Sequence, residues 1–332
     1  MKSLNLNKAF CDKGFAKAIR EKSEMAGFKE NQLRYDQFIE LALYDENWGY
    51  YKKEMPRVGR SAQTDFYTSV STGPIFGRLL INAFKNCLAE DTENYSLIEI
   101  GAEPDTSTFK KIELPFKEHL ILRLGDSIKP NGKCVVFANE WLDAQPFRRF
   151  FKTDNRWVEI GIKLEGSSIQ ETFIETELPQ LPTASENYQL DLPTGARKAL
   201  DSLLRQEWNG LFVTADYGHF ESVLFKERPE GSARAYHRHQ LGENLLINPG
   251  SQDITCHINW DDVIRSLQEN RFGEVDLKSQ ESFFMNYSQD IITEIIQNNP
   301  AGFSPEKQTL MELIHPHNMG AKFQIIKGLR KD

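Results

Sequence analysis

An amide and two carboxylates crowd the end of one apolar run in "CVVFANEWLDAQPF", Cys134 to Phe147. Asn139, Glu140 and Asp143 follow directly on Cys134–Ala138, which reads as a buried strand. Glu140 and Asp143 stand three positions apart, so on a helical turn they face the same side. Carboxylates placed this way can hold a cation and accept a proton. The plainer alternative is that Asp143 caps a turn and Glu140 is a solvated acid.

Three other apolar runs end in a similar way. They are "YSLIEIG" (Tyr95–Gly101), "HLILRLGD" (His119–Asp126) and "GLFVTADYG" (Gly210–Gly218). Strands separated by helices or longer connections imply a parallel sheet in an α/β domain. In such sheets ligands sit at the carboxyl ends of the strands. Glu99, Gly101, Asp126, Asn139, Glu140 and Asp216 are therefore expected on one rim.

The remaining segments must position that rim. Ala16–Ala26, Tyr35–Leu43 and Ile75–Leu88 have helical spacing of apolar residues, and the stretch between the last two reads as loop. "RRFFKTDNRWVEIGIKLEGSSIQETFIETEL" alternates apolar and polar residues, which predicts an antiparallel β excursion over about 148–195. "ARKALDSLLRQEW" predicts an amphipathic helix, and a further helix is expected to start near Asp253 or Thr255. "NMGAKFQIIKGL" predicts a final strand closing the sheet.

Bulk properties narrow the function. The chain has 332 residues, of which 39% are hydrophobic and 27% charged, enough for a folded core. Its net charge of -8 disfavours nucleic acid, which needs clustered Lys and Arg, and fits a basic protein segment better. Cys11, Cys87, Cys134 and Cys256 lack CxxC spacing and read as small hydrophobes in a reducing compartment. No apolar run approaches the roughly 18 residues of a membrane span. The N-terminal segment lacks a signal-peptide core and carries Asp12, Glu21 and Glu24, so a cytoplasmic location is expected.

In order along the chain stand "FIELALYDENWGYY", "TDFYTSVSTGPIFGRLL", "LIEIG", "VVFANEWLDAQPFRRF", "FVTADYG", "GSARAYHRHQL", "NPGSQDITCHINWDDVI", "SQESFFMNYS" and "NMGAKFQI". In this series the chain resembles the MidA-like group of class I S-adenosylmethionine-dependent methyltransferases, which includes the mitochondrial complex I assembly arginine methyltransferase. The resemblance implies an α/β fold with a Rossmann-like class I methyltransferase sheet over 91–332. It also implies an N-terminal helical cap and cofactor-covering loop over 1–90, and an inserted antiparallel β element. The cofactor implied is S-adenosyl-L-methionine, with Asp65, Thr68, Glu99, Gly101 and Asp126 as its contacts and Ser69 beside them. Asn139, Glu140 and Asp143 would form the catalytic group, orienting the guanidinium of a protein arginine. The resemblance allows a homodimer.

The turn after the first strand departs from the pattern. "EIGAEPDTSTF" keeps Glu99 and Gly101, but Glu103, Pro104 and Asp105 stand where further glycines would let the backbone approach the cofactor. The segment from Gly101 to Asn139 has room for one strand pair, and the acid expected to hold the ribose has no clear counterpart there. These features carry a second reading, a non-catalytic methyltransferase-like binding or assembly protein. A third, metal-dependent hydrolysis, rests on His237, His239, Asp253 and His257, whose spacing matches no established metal motif. Arg148, Arg149 and Lys152 read as a solvated basic strand face, and "WGYY" and Trp141 as packing.

Overall fold

A computed structural model of the chain describes residues 6–53, 57, 69–88, 91–102, 107–237, 240–298 and 304–331. Two six-stranded sheets, each with its own helices, make up most of it.

The central sheet contains β1 (Ser96–Ile100), β2 (Glu118–Leu122), β3 (Gly132–Asn139), β4 (Trp208–Asp216), β5 (Gly273–Ser279) and β6 (Gln324–Arg330). Their spatial order is β5-β6-β4-β3-β1-β2. β2, β1, β3 and β4 run parallel, while β6 pairs antiparallel with both β4 and β5. Period-two alternation explains why these runs are apolar throughout. Val135 and Phe137 of β3 face one layer and Val136 and Ala138 the other, and both layers are covered.

Helix α3 (Pro74–Leu88) covers one face of this sheet, together with α6 (Gln280–Tyr287), α7 (Gln289–Gln297) and α8 (Pro305–Ile314). Phe76 and Phe109 meet Phe137 edge-on there, and Phe84 packs tilted against it. Helices α4 (Thr194–Leu204) and α5 (Trp260–Glu269) cover the other face. The Asn259 side chain caps α5 by accepting from Asp261 N. The start expected near Asp253 or Thr255 is incorrect, because Asp253–Thr255 is a buried strand paired with Arg234–His237.

The β excursion forms the second sheet. Its order is Lys8–Phe10, Ser168–Ile174, Arg156–Glu165, Arg148–Thr153 and Gln189–Leu192, with Gln32–Arg34 also on Arg156–Glu165. Helices α1 (Lys13–Met25) and α2 (Tyr35–Tyr44) pack on it through Phe15, Ile19, Phe38 and Ile39. The first ninety residues therefore split, with α1 and α2 on the excursion and α3 on the central sheet.

The basic strand face expected at Arg148 and Arg149 is not solvated. Arg149 is buried, with Nε donating to Asp191 (2.7 Å) and Nη1 to Glu171 (2.9 Å). Arg148 donates twice to the buried Glu159. Glu159 and Asp191 lie on the two strands that flank Arg148–Thr153 and Glu171 one strand further, so the sheet pairs charges that the sequence separates. Asp191 also accepts from Ser232 N and Ala233 N, both at 2.8 Å, and so ties the excursion to the loop before Arg234–His237.

Between β1 and β2 no helix occurs among the described residues. Residues 107–112 form turns, and β2 runs parallel to β1 rather than forming a hairpin pair of its own.

Candidate active site

A cavity of about 1190 Å³ opens at the carboxyl ends of β1, β3 and β4. Glu99, Gly101, Asp126, Asn139, Glu140 and Asp143 all line it. Asp65, Thr68 and His239 lie outside the described residues.

The chain leaves β3 through a turn that is not helical. Glu140 has φ 48°, in the left-handed region, and its N–H donates to Ala215 O of β4 (2.9 Å). A side chain in this region is strained, and such strain persists where surrounding contacts enforce it. Here Asp216 is the enforcing group. One of its oxygens accepts from Leu142 N (3.0 Å) and Asp143 N (3.3 Å), and the other from Tyr217 N (2.8 Å). Asp216 therefore caps the turn from below, and Glu140 and Asp143 both reach the cavity without sharing a helix face.

The electrostatics of this floor follow from burial. Burial and the neighbouring Asp143 push the Glu140 carboxyl well above its usual range. Burial and the neighbouring Asp216 do the same to Asp143, which takes a hydrogen bond from the Tyr217 hydroxyl. Burial raises Asp216 as well, opposed by its three backbone donors. Asn139 Nδ2 donates to Glu140 Oε1 (2.9 Å). Asn139 Oδ1 and Asp143 Oδ1 are buried without a partner. Two unsatisfied acceptors beside carboxylates that repel one another make a site for a group that donates hydrogen bonds and carries positive charge.

Tyrosines ring this floor. Tyr44, Tyr51, Tyr217 and Tyr236 line the cavity, with Tyr44 and Tyr51 stacked 5.5 Å apart. Tyr51 donates to Asp253 (2.8 Å) and Tyr44 to Ala144 O (2.7 Å). Asp253 lines the same wall, so a third carboxylate joins the cluster. In "WGYY" only part of the packing reading holds: Tyr50 is buried in the core, whereas Tyr51, like Trp141, faces the cavity. Tyr44 and Tyr217 carry no local signal, because α2 and the end of β4 bring them in from distant positions.

The other arm of the cavity runs past Gly101 to Leu122, Leu124, Gly125, Asp126 and Ile128. Gly101 ends β1 at φ 78°, where any side chain is strained, although a Cβ there would only touch Trp141. Asp126 follows β2, the strand beside β1. It accepts from Arg123 N (2.8 Å) through one oxygen. Glu99 is committed within the chain. Its oxygens accept from Ser107 Oγ (2.6 Å) and Thr108 N (2.6 Å), with His119 Nε2 at 3.2 Å. Burial raises Glu99, but His119 and Ser107 outweigh it and hold the carboxyl below its usual range.

Among the described residues no three His, Cys, Asp or Glu side chains are grouped to hold a metal. His237 Nδ1 contacts Ser251 O (2.9 Å), and Asp253 is bonded to Tyr51.

Residues 76–275 match the model of a family described as "Putative S-adenosyl-L-methionine-dependent methyltransferase". The chain belongs to this family. Among curated relatives of this methyltransferase-family protein are the "Protein arginine methyltransferase NDUFAF7 homolog, mitochondrial" of Drosophila melanogaster and the "Protein arginine methyltransferase NDUFAF7, mitochondrial" of Rattus norvegicus. The first is 26% identical over 217 residues, covering 59% of this chain and 47% of the relative. The second is 22% identical over 207 residues, covering 58% and 45%. The chain thus spans about half the length of the curated relatives it matches. A crystal structure of a Burkholderia thailandensis protein bound to S-adenosyl-homocysteine shares the fold, with a TM-score of 0.81 at 21% identity over 96% of this chain and 92% of that one.

Proposed function

We propose that this methyltransferase-family chain transfers a methyl group from S-adenosyl-L-methionine to a side-chain nitrogen of a protein arginine. The observation that carries the reading is the floor of Glu140 and Asp143, buried, mutually repelling and ringed by tyrosines at the end of β3. A guanidinium supplies what that floor lacks: a delocalised positive charge and several N–H donors in a plane. The tyrosine faces suit the same cation.

The residues of the other arm fit the cofactor in part. Leu122, Leu124, Ile128 and Trp141 offer apolar walls for a flat base. Asp126, beyond the strand next to β1, stands where Rossmann-like sites place a ribose-binding acid. The sequence by itself suggests no ribose acid, and Asp126 reads there only as a cofactor contact. Its place beside β1 favours the ribose. Glu99, already bonded to its own turn, holds the shape of this arm rather than offering an open acceptor. When bound, the cofactor supplies an electrophilic methyl group.

Asn139 fixes Glu140 through Oε1, which leaves Oε2 to meet the guanidinium. Asp143, fixed by Asp216 and Tyr217, meets it from the other side. Both groups orient the nitrogen for in-line attack. Pairing with the guanidinium ionises Glu140, and a carboxylate made more basic by burial is the better proton acceptor, so Glu140 Oε2 takes the proton that the methylated nitrogen loses.

Mass spectrometry of arginine peptides incubated with the purified chain and isotopically labelled S-adenosyl-L-methionine tests this. Methylation confined to arginine supports it, and none despite bound cofactor refutes it. A second reading, a binding protein that no longer holds the cofactor, draws on the internally committed Glu99 and the absence of a helix between β1 and β2 among the described residues. Calorimetric titration with S-adenosylhomocysteine separates the two, since silence at millimolar ligand favours the second.

A further inference from the structure

The acidic floor occupies one part of the cavity. The part past β4 has the opposite character. Gly218–His219 pairs parallel with Ile258–Asn259, which sets His219 beside His257. Their rings are 4.9 Å apart at 63°. His219 Nε2 and His257 Nδ1 are both buried and have no hydrogen-bond partner. Arg228 lines the cavity with them. Its backbone is held, with N–H donating to the Tyr188 hydroxyl and C=O accepting from Gly231 N. Its guanidinium has no acceptor among the described residues.

Comparable arginines of this protein are paired. Arg148 holds Glu159, Arg149 holds Asp191 and Arg197 holds Asp201. An arginine beside two partnerless imidazoles in a cavity wall departs from that pattern, and buried polar atoms left without partners call for an explanation. Burial, then Arg228, lowers His219, so the imidazoles of this wall are neutral and Arg228 carries its positive charge. Burial, then His219 and Arg228, push His257 down to about 3. Glu227 faces His219 as an opposing charge, and Lys322 adds a further cation at the cavity mouth.

We infer that this wing is a carboxylate subsite, where Arg228, His219 and His257 receive an acidic side chain close in sequence to the arginine being modified. The inference rests on the arginine reading above. A carboxylate offers two oxygens with several acceptor positions, enough for the Arg228 fork and an imidazole N–H together. With Glu140, Asp143 and Asp253 on one side and Arg228 on the other, the cavity is complementary to a segment carrying both charges. A carboxylate could also come from the amino-acid end of the cofactor. The wing lies past β4, on the opposite side of β3 from Gly101 and Asp126, which favours the substrate as its source.

The test uses the full chain and short fluorescent peptides with a central arginine and Asp or Asn at each flanking position. Binding is read by fluorescence anisotropy. At one or more positions the Asp peptide is expected to bind about tenfold or more tightly than its Asn partner, the size of a hydrogen bond between charged groups. In Arg228→Met that ratio should fall towards one, and Arg228→Lys should recover part of it. Circular dichroism checks that the variants are folded. Equal binding of Asp and Asn peptides at every position overturns the inference, as does a preference that survives Arg228→Met. If Arg228→Met instead weakens S-adenosylhomocysteine tenfold in calorimetry, the wing belongs to the cofactor and the inference fails. A chain that binds S-adenosylhomocysteine but none of the peptides also overturns it while leaving the cofactor reading intact. An acidic preference without S-adenosylhomocysteine binding supports the subsite and sinks the methyl-transfer reading.

Discussion

Replacing Glu140 with Gln should make the protein more stable and less active, and the gain should depend on pH. Glu140 sits in a strained backbone conformation beside Asp143, and its carboxyl is raised by burial and by that neighbour. A carboxyl with a raised folded-state pKa favours folding most below its unfolded value. That advantage is lost as pH rises through the folded pKa. From an ordinary value of 4.5, the loss by pH 7 cannot exceed about 3.4 kcal/mol, at 1.36 kcal/mol per pH unit. Asp143 shares the repulsion, so removing one charge recovers part of this, roughly 1–3 kcal/mol. For a chain of this length that is roughly 1–4 °C in Tm. Gln keeps the oxygen that accepts from Asn139, so packing and the local hydrogen bond survive. Thermal unfolding of Glu140→Gln and the native chain should give similar Tm near pH 4.5 and a growing advantage for the variant up to pH 8. Methyl transfer to an arginine peptide should fall at least a hundredfold. A Tm difference that is negative or flat with pH would refute the electrostatic account. Full turnover in a variant that binds cofactor and peptide would refute the role given to Glu140.

Asp216→Ala should cost more than about 3 kcal/mol in denaturant unfolding, because it strands two backbone N–H groups of the β3 turn and that of Tyr217. A loss below 1 kcal/mol would mean the turn is held otherwise. Arg149→Met should destabilise by about 3–5 kcal/mol, since Glu171 and Asp191 are left buried without their cation, and restoring Lys should recover only part. Asp126→Ala should weaken S-adenosylhomocysteine by about tenfold or more in calorimetry if it holds the ribose, and unchanged affinity would remove it from the cofactor site.

Much of the central sheet is legible in the sequence for a physical reason. A parallel strand covered on both faces must be apolar at nearly every position, so β1, β3 and β4 stand out as runs that stop at polar residues. Strand polarity then sends those polar residues to one rim, and Glu99, Gly101, Asp126, Asn139, Glu140 and Asp143 do line one cavity. The short helices at Tyr35 and Pro74 and the alternation after Arg148 are local patterns as well, set by periodicity alone.

What each rim residue touches is a tertiary matter. Glu99 looks like an open acceptor in "LIEIG", yet Ser107, Thr108 and, from the neighbouring β2, His119 occupy its oxygens. Arg148 and Arg149 look solvated in "RRFF", yet strand pairing brings Asp191 opposite Arg149 and Glu159 within reach of Arg148 on the other neighbouring strand. Asp216 reads as one more rim acid, but one of its oxygens braces a turn more than seventy positions earlier in the chain. Tyr44, Tyr51, Tyr217 and Asp253 reach the floor from four separate segments. Charge sign, hydropathy and strand ends are properties of neighbouring residues, so sequence determined them. Partnership and burial depend on which distant segments pack together, and those alone decide that Glu140 and Asp143 share a pocket in which neither is easily ionised.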